Sequence, residues 1–307
     1  MTAGDGDGIV GTVTVNLDAA ASFLATQARV LDRRRFQLLR DETDVDTVLA
    51  AVAAYRNRDG GYGWGLEPDL RAPESQPGGA LHALEVFEEI APAVTPRAVE
   101  LCDWLASVAR PDGGIPFALP MADATACAPF WAQVDSTRSA LQSTAFVLAP
   151  ALRIAGHDPV VAAHPFLAAA VEYCFDAIRR LDAQPHAIEL SWAIQFLDAA
   201  HENYSEAEPL LATLGGFIPD DGVVPVAGGD PDEAMRPLDF APVPDRPARR
   251  LFSKEAVEAD LQRLVDQQQD DGGWAVDFSS YSPAAGLEWR GYATVKNIQI
   301  LQRNGVI

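Results

Sequence analysis

Near its C-terminal end the chain reads DQQQDDGGW (266–274), and related phrases stand earlier in it. Four segments share one plan of apolar-periodic helix, short polar exit, glycine turn and aromatic or proline: VLAAVAAYRNRDGGYGW (48–64), WLASVARPDGGIPF (104–117), LLATLGGFIPDDGVVPV (210–226) and LQRLVDQQQDDGGW (261–274). Such repetition constrains the fold more than any local propensity, because each unit buries its apolar face only by stacking on its neighbours. Gly60-Gly61, Gly113-Gly114 and Gly272-Gly273 mark three turns clearly, while the copy around Gly215-Gly216 or Gly222 is degenerate. The first two pairs lie 53 residues apart and Gly113 to Gly272 spans 159, three more such steps, of which the one near residue 166 carries no pair.

The local chemistry of the phrase is that of a helix terminator. A glycine takes the left-handed conformation that exposes the last helical carbonyls to capping bonds, and the Asp bonds the turn's own amides. An aromatic just beyond folds back over the helix end, and the glutamines are placed to bridge neighbouring repeats.

A chain of 307 residues with 48% hydrophobic residues can bury a large core. With 23 Lys and Arg against 44 Asp and Glu, the net charge of −21 excludes a nucleic-acid or anionic-membrane surface as partner. The start, MTAGDGDGIVGTVTVNL, has no basic region followed by an apolar run, and no later stretch has the length of a membrane span, so a cytoplasmic protein is expected. Cys102, Cys127 and Cys174 stand far apart without CxxC spacing and read as buried free thiols.

QQQDDGGW resembles the QW motif of squalene–hopene cyclases, and of the wider terpenoid cyclase and protein prenyltransferase superfamily. The resemblance covers most of the chain by repeat plan, but only about four short segments by motif. It implies an all-α fold, an (α/α) toroid of about five to six helical hairpins in two concentric layers. The helix before each glycine turn would be outer and the next one inner. On that order outer helices are expected near 44–57, 95–109, 160–182, 204–214 and 254–269. Inner helices are expected near 17–40, 76–90, 136–155, 187–201 and 287–304. The whole chain, 1–307, is read as one domain, with the Pro-, Gly- and Asp-rich segment 215–252 as a long loop insertion that either caps a cavity mouth or lies on the surface.

In these cyclases the proton donor is the middle Asp of a DxDD motif. The partial match Asp44-Val45-Asp46-Thr47 opens an outer helix and lacks the fourth Asp, so it reads as a helix cap. Three loop stretches are better placed. In GWGLEPDLRAPESQP (63–77) stand Trp64, Glu67, Asp69, Arg71 and Gln76, the acids either working on a substrate or pairing with Arg71. FWAQVDSTR (130–138) supplies Trp131, Asp135 and Arg138, with Asp135 either an acid or a helix cap. The third offers Glu288, Trp289, Arg290 and Tyr292, with Asp277 nearby; its aromatics are either core or a ligand platform. If these loops share one mouth, Asp69, Asp135 and Glu288 are the candidate catalytic acids, and the tryptophans line the pocket.

A metal site is not expected. The prenyltransferase zinc set needs an Asp and a Cys two apart, whereas Cys102 and Asp103 are adjacent and in the wrong order. The five histidines lack HxxxH or HExxH spacing, His82 reads as a satisfied core residue, and Asp230-Pro231-Asp232-Glu233 reads as a solvated loop. No cofactor is expected either. The expected function is a cyclase- or prenyltransferase-like enzyme acting on an isoprenoid or similar apolar small molecule, by carboxylic-acid protonation in a Trp-lined cavity. The alternatives are a carbohydrate-active toroid using paired carboxylates, and a non-catalytic ligand- or protein-binding toroid.

Overall fold

The three Asp-Gly-Gly turns close the same small loop of hydrogen bonds. In the computed structural model, which describes residues 14–307, Gly272 N donates to Gln269 O and Gln269 N to Gly273 O, both at 2.8 Å. Gly273 N donates to Asp271 Oδ1 at 3.1 Å. Asn57 with Asp59, and Arg110 with Asp112, repeat all three bonds around the earlier glycine pairs. The leading glycines have φ of +95, +89 and +91°, a region costly for any residue with a Cβ. At the degenerate copy Gly222 keeps the positive φ and Asp221 still accepts from the second amide onward, now that of Val223. The expectation of leaderless residues at the start falls on 1–13, outside the described residues.

Fourteen α-helices, two short 3-10 helices and one two-residue-stranded hairpin make up the regular structure of the described residues. They are α1 (Leu17–Gln27), α2 (Val30–Leu39), α3 (Val45–Val52), α4 (Pro77–Glu89), α5 (Pro96–Val108), α6 (Pro129–Ala132) and α7 (Leu141–Ala155). There follow α8 (Pro159–Ala162), α9 (Pro165–Arg179), α10 (Ala187–Ala200), α11 (Ala207–Gly215), α12 (Pro237–Phe240), α13 (Lys254–Asp266) and α14 (Pro283–Arg303). The fold is all-α, as expected. Asp44 caps α3 through the Thr47 amide at 2.8 Å, and Asp46 is exposed, so the DxDD-like stretch is a cap.

Each glycine pair docks on a helix of another repeat by the same two contacts. A Cβ on the second glycine would lie 2.6 Å from Trp104 of α5 at Gly61, 2.8 Å from Tyr173 of α9 at Gly114, and 2.7 Å from Phe23 of α1 at Gly273. The first glycine of each pair presses on the carbonyl four residues earlier on that helix: Glu100, Ala169 and Ala19. The last turn therefore meets the first helix as the earlier turns meet α5 and α9. Gln268 fastens this contact, its Oε1 accepting from Asn16 N at 2.7 Å and its Nε2 donating to Asn16 O at 2.9 Å. Trp274 is fully buried and covers the end of α13, donating from Nε1 to Leu264 O at 2.7 Å.

The expected inner helix 17–40 is two helices, and α1 takes the role of an α5- or α9-like docking helix. The break falls at Ala28 and Arg29, both extended, where Gly291 of α14 crosses so closely that a Cβ would sit 2.7 Å from that of Ala28. The helix expected over 136–155 begins only at Leu141, because residues before it are held extended by Ala140 N on Ile115 O and by Ser139 on Asp112. Segment 215–252 is not a bare loop. It contains strands β1 (Val224–Pro225) and β2 (Ala234–Met235), α12 and a 3-10 turn (Pro247–Leu251). Its Phe240 and Ala248 are fully buried; Asp260 of α13 receives the Leu238 amide and Asp198 of α10 the Ala248 amide, each at 2.9 Å.

Helix α7 packs along α4, α9 and α10, α14 along α1, α2 and α13, and α12 along α10 and α13. One apolar cluster runs from Leu31 and α3 through α11, and a second, around Phe23, Phe36 and Trp274, joins α1, α13 and α14. The three cysteines are free and buried.

The docking contact makes a quantitative test. Gly272→Ala places a methyl 2.2 Å from the Ala19 carbonyl at an unfavourable φ; we expect it to cost about 3 kcal/mol or more in urea denaturation. Gly228→Ala, with φ +79° but nothing within 4 Å, should cost only about 1 kcal/mol.

Candidate functional site

The loop 63–76 is laid down by main-chain bonds before its side chains do anything. Trp64 N donates to Ala72 O at 2.8 Å, Leu70 N to Glu67 O at 3.0 Å and Gln76 N to Tyr62 O at 2.9 Å. Ala128 N donates to Asp69 O at 2.8 Å, tying in the second loop. Asp69, nearly buried, accepts from Tyr281 N on Oδ1 and from Trp289 Nε1 on Oδ2, each at 2.8 Å. With both oxygens accepting, it serves as a carboxylate anchor for the third stretch. Arg71 pairs with Glu288 at 2.6 Å, across the chain, rather than with Asp69 or Glu67.

Behind this anchor runs a buried polar chain. Glu67 Oε2 and Glu85 Oε2 hold His82 from both ring nitrogens, at 2.9 and 2.8 Å, and Tyr292 donates to Glu85 Oε1 at 2.7 Å. The His82 ring meets the edges or faces of Trp289 and Tyr292, with centroids 5.9 and 5.0 Å away. Burial alone would push the imidazole toward neutrality, but the Glu85 charge and the bonds to Glu67 and Glu85 outweigh it and raise its pKa to about 9. Burial likewise opposes charge on Glu85, yet the charge and hydrogen bond of His82 bring its carboxyl down to about 2, which makes it a poor proton donor. Burial, then the Glu85 charge, push the Tyr292 hydroxyl well above its usual range, so it stays a donor.

On the other side of Tyr292 and Glu85 lies a cavity of about 80 Å³. Five helices bring side chains to it: Arg35 from α2, Glu88 and Glu89 from α4, Arg153 from α7, Trp192 from α10, and Lys296 and Gln299 from α14. Leu238 and Asp239 of α12 add the contribution of segment 215–252. Its charges are largely cross-linked between helices, Arg35 to Glu89 at 2.8 Å, Arg153 to Glu88 at 3.0 Å and Lys296 to Asp239 at 3.7 Å. The Arg35 guanidinium also lies 5.3 Å from the Tyr292 ring centre. Ligand pockets commonly measure about 300–1,000 Å³, so this one admits only a compact guest.

Of the sequence candidates, Glu67, Asp69, Arg71, Glu288, Trp289 and Tyr292 are brought together, and Trp131 approaches them, its ring 3.3 Å from a Cβ built on Gly78 beside Glu67. Tyr292 alone among them reaches the cavity. Asp135 and Arg138 are exposed, and Asp135 accepts from Thr137 N at 2.9 Å instead of capping α7, which starts six residues later. Trp64 is 58% exposed and donates to Asn57, while Trp131 stacks on Phe117 at 4.5 Å. Gln76 forms a two-bond bridge to the Leu119 main chain. Arg290 faces away, to Asp271 at 2.7 Å and over the Phe23 ring at 4.6 Å.

The residues missed were those on helices rather than loops. Glu85, Glu88 and Glu89 crowd the C-terminal half of α4, where the helix dipole disfavours acids. Lys296, Gln299 and Arg303 recur at intervals of three and four on α14, one face of a helix. Among the described residues no group of three or more His, Cys, Asp or Glu is placed to hold a metal ion, and no helix is long and apolar enough to cross a membrane.

Compared with protein-family models, the sequence matches none, and comparison with curated proteins gives no match either.

His82 makes stability depend on alkaline pH. Its ion pairs contribute fully below its ordinary value near 6.5 and are lost as pH rises through about 9. We expect a loss on the order of 3 kcal/mol across that window in urea denaturation. His82→Gln should flatten the profile there, and an unchanged slope in the variant would refute the assignment.

Proposed function

We propose that the chain is an (α/α) toroid of six helical hairpins, similar in plan to the terpenoid cyclase and prenyltransferase superfamily, whose central pocket binds a compact polar small molecule. Three features support the architecture. The last glycine turn docks on α1 as the others dock on α5 and α9. Helices α2, α4, α7, α10 and α14, from five separate stretches of sequence, line one cavity. The short α12 packs against α10 and α13, and on this reading it takes the part of a sixth inner helix.

The single observation that carries the ligand class is the charged lining of that cavity. An isoprenoid guest would desolvate Arg35, Glu88, Glu89, Arg153 and Lys296 without offering them a hydrogen bond, a cost of several kcal/mol. A compact guest with polar atoms replaces the water those groups lose. The reading is therefore closer to a ligand-binding toroid than to an isoprenoid cyclase. The cyclase alternative draws its support from the aromatic edges of Trp289, Phe278 and Tyr292 beside Asp69.

Calorimetric titration separates the two. We expect purified protein to bind one or more compact polar compounds from a panel of short carboxylates, amino acids, polyols and monosaccharides, and to leave polyprenyl diphosphates unbound and unturned, with or without magnesium. Turnover of a polyprenyl substrate, with its loss in Asp69→Asn, would return the cyclase reading.

A further inference from the structure

At the rim of the cavity one side-chain amide is held from both ends. Asn304, the residue that closes α14, accepts from Arg249 Nη1 on Oδ1 at 3.0 Å, and donates from Nδ2 to Pro242 O at 3.1 Å and to Ile300 O at 2.8 Å. A guanidinium only donates and a main-chain carbonyl only accepts, so these partners leave the amide a single orientation. Arg249 and Pro242 belong to segment 215–252, while Pro242, Ile300 and Arg303 line the cavity. Asn304 is thus a tie between that segment and the end of α14. The next residue answers to a different demand. Gly305 has φ of +69°, its N–H donates to Gln302 O at 3.0 Å and that of Val306 to Leu301 O at 2.9 Å, the paired bonds that end a helix on a left-handed glycine. Two separate requirements therefore place Asn before Gly, and of Asn16, Asn57, Asn203, Asn297 and Asn304 only the last is followed by glycine.

We infer that Asn304 is a self-modification site, whose conversion to a carboxylate releases the Pro242 end of segment 215–252 from α14. Glycine has no side chain to hinder its own nitrogen, and a Cβ built on Gly305 would meet nothing within 4 Å, so that nitrogen has room to turn onto the Asn304 side chain. When the last turn of α14 opens, Gly305 N gives up its proton to solvent base and attacks Asn304 Cγ. The N–Cγ bond forms, the Cγ–Nδ2 bond breaks and ammonia leaves, with a five-membered cyclic imide as the intermediate. Water then opens the ring to aspartate or to its β-linked isomer, and no oxidant, metal or partner takes part. While the turn is closed, its hydrogen bonds engage both reacting groups, so the rate follows local opening. The aspartate has an oxygen where Nδ2 stood, facing the Pro242 and Ile300 carbonyls without a proton to share. Ile300 O keeps the Asn304 main-chain N–H at 3.1 Å, so the bond left unreplaced is the one to Pro242. Arg249 retains the other oxygen, which confines the release to the Pro242 side of the rim.

Nothing in this reaction depends on what the cavity binds. Full-length protein is aged in mildly alkaline buffer, with and without urea, and its asparagines are followed by peptide mapping and mass spectrometry. We expect Asn304 to be the first converted in the native protein, and to convert faster in urea. Gly305→Ala should slow the conversion several-fold in urea, where folding plays no part. Asn304→Asp, the product made directly, should exchange amide hydrogens faster over 236–246 while α4 and α7 keep their protection, and the aged wild-type protein should show the same change in proportion to its converted fraction. Conversion in urea with none in the native protein overturns the site, as does another asparagine converting first or Gly305→Ala converting as fast as wild type. Unchanged exchange over 236–246 in Asn304→Asp and in the converted wild-type protein overturns the release, because Arg249 alone then holds the end of α14.

Discussion

Everything in this fold leans on one contact, a left-handed glycine pressed against the main chain of a helix from another repeat, with a second glycine under that helix's aromatic ring. Gly60-Gly61 on Glu100 and Trp104, Gly113-Gly114 on Ala169 and Tyr173, and Gly272-Gly273 on Ala19 and Phe23 are the same joint made three times. Because no side chain intervenes, the spacing between units is set by backbone, and backbone is stiff. The Asp of each turn then reaches on: Asp59 to Ser75, Asp112 to Ser139 and Asp271 to Arg290. A single carboxylate thereby fixes its own turn and a residue just before or within the helix that follows.

Where the cavity lies, charge joins the helices in addition to their apolar packing. Arg35 to Glu89, Arg153 to Glu88 and Lys296 to Asp239 each span two helices. Only the Arg35–Glu89 pair is buried; such a pair adds little net stability over apolar residues of similar volume, but each partner fixes the place of the other. The pattern suits a hollow that must keep its shape while remaining polar, and Glu67, His82, Glu85 and Tyr292 extend it as a continuous hydrogen-bonded chain toward the loops around Asp69.

The repeat and the all-α class were legible in the sequence because they depend on local chemistry. An Asp-Gly-Gly after an apolar helix means a left-handed stop wherever it stands, and Gln268 bridging to Asn16 follows from an amide held at that stop. The split of 17–40 was not legible, since Ala28 and Arg29 carry no breaker signal and extend because α14 crosses there at Gly291. The site was half legible. Asp69, Trp289 and Tyr292 were reached through their loops and aromatic company, whereas Asp135 was misplaced by assuming that its helix begins beside it. Glu88, Arg153 and Gln299 were passed over because charged and amide side chains on a helix usually face water, and only the packing of five helices turns these inward.

The clasp between Gln268 and Asn16 joins residues 252 positions apart. A contact so distant along the chain carries a loop-closure entropy among the largest of any joint between the described residues, and little of that cost is recovered until the rest has assembled. The seam between α1 and α13 is thus the natural place for the protein to breathe: amides of α1 should exchange with solvent through openings that leave α4, α7 and α10 untouched.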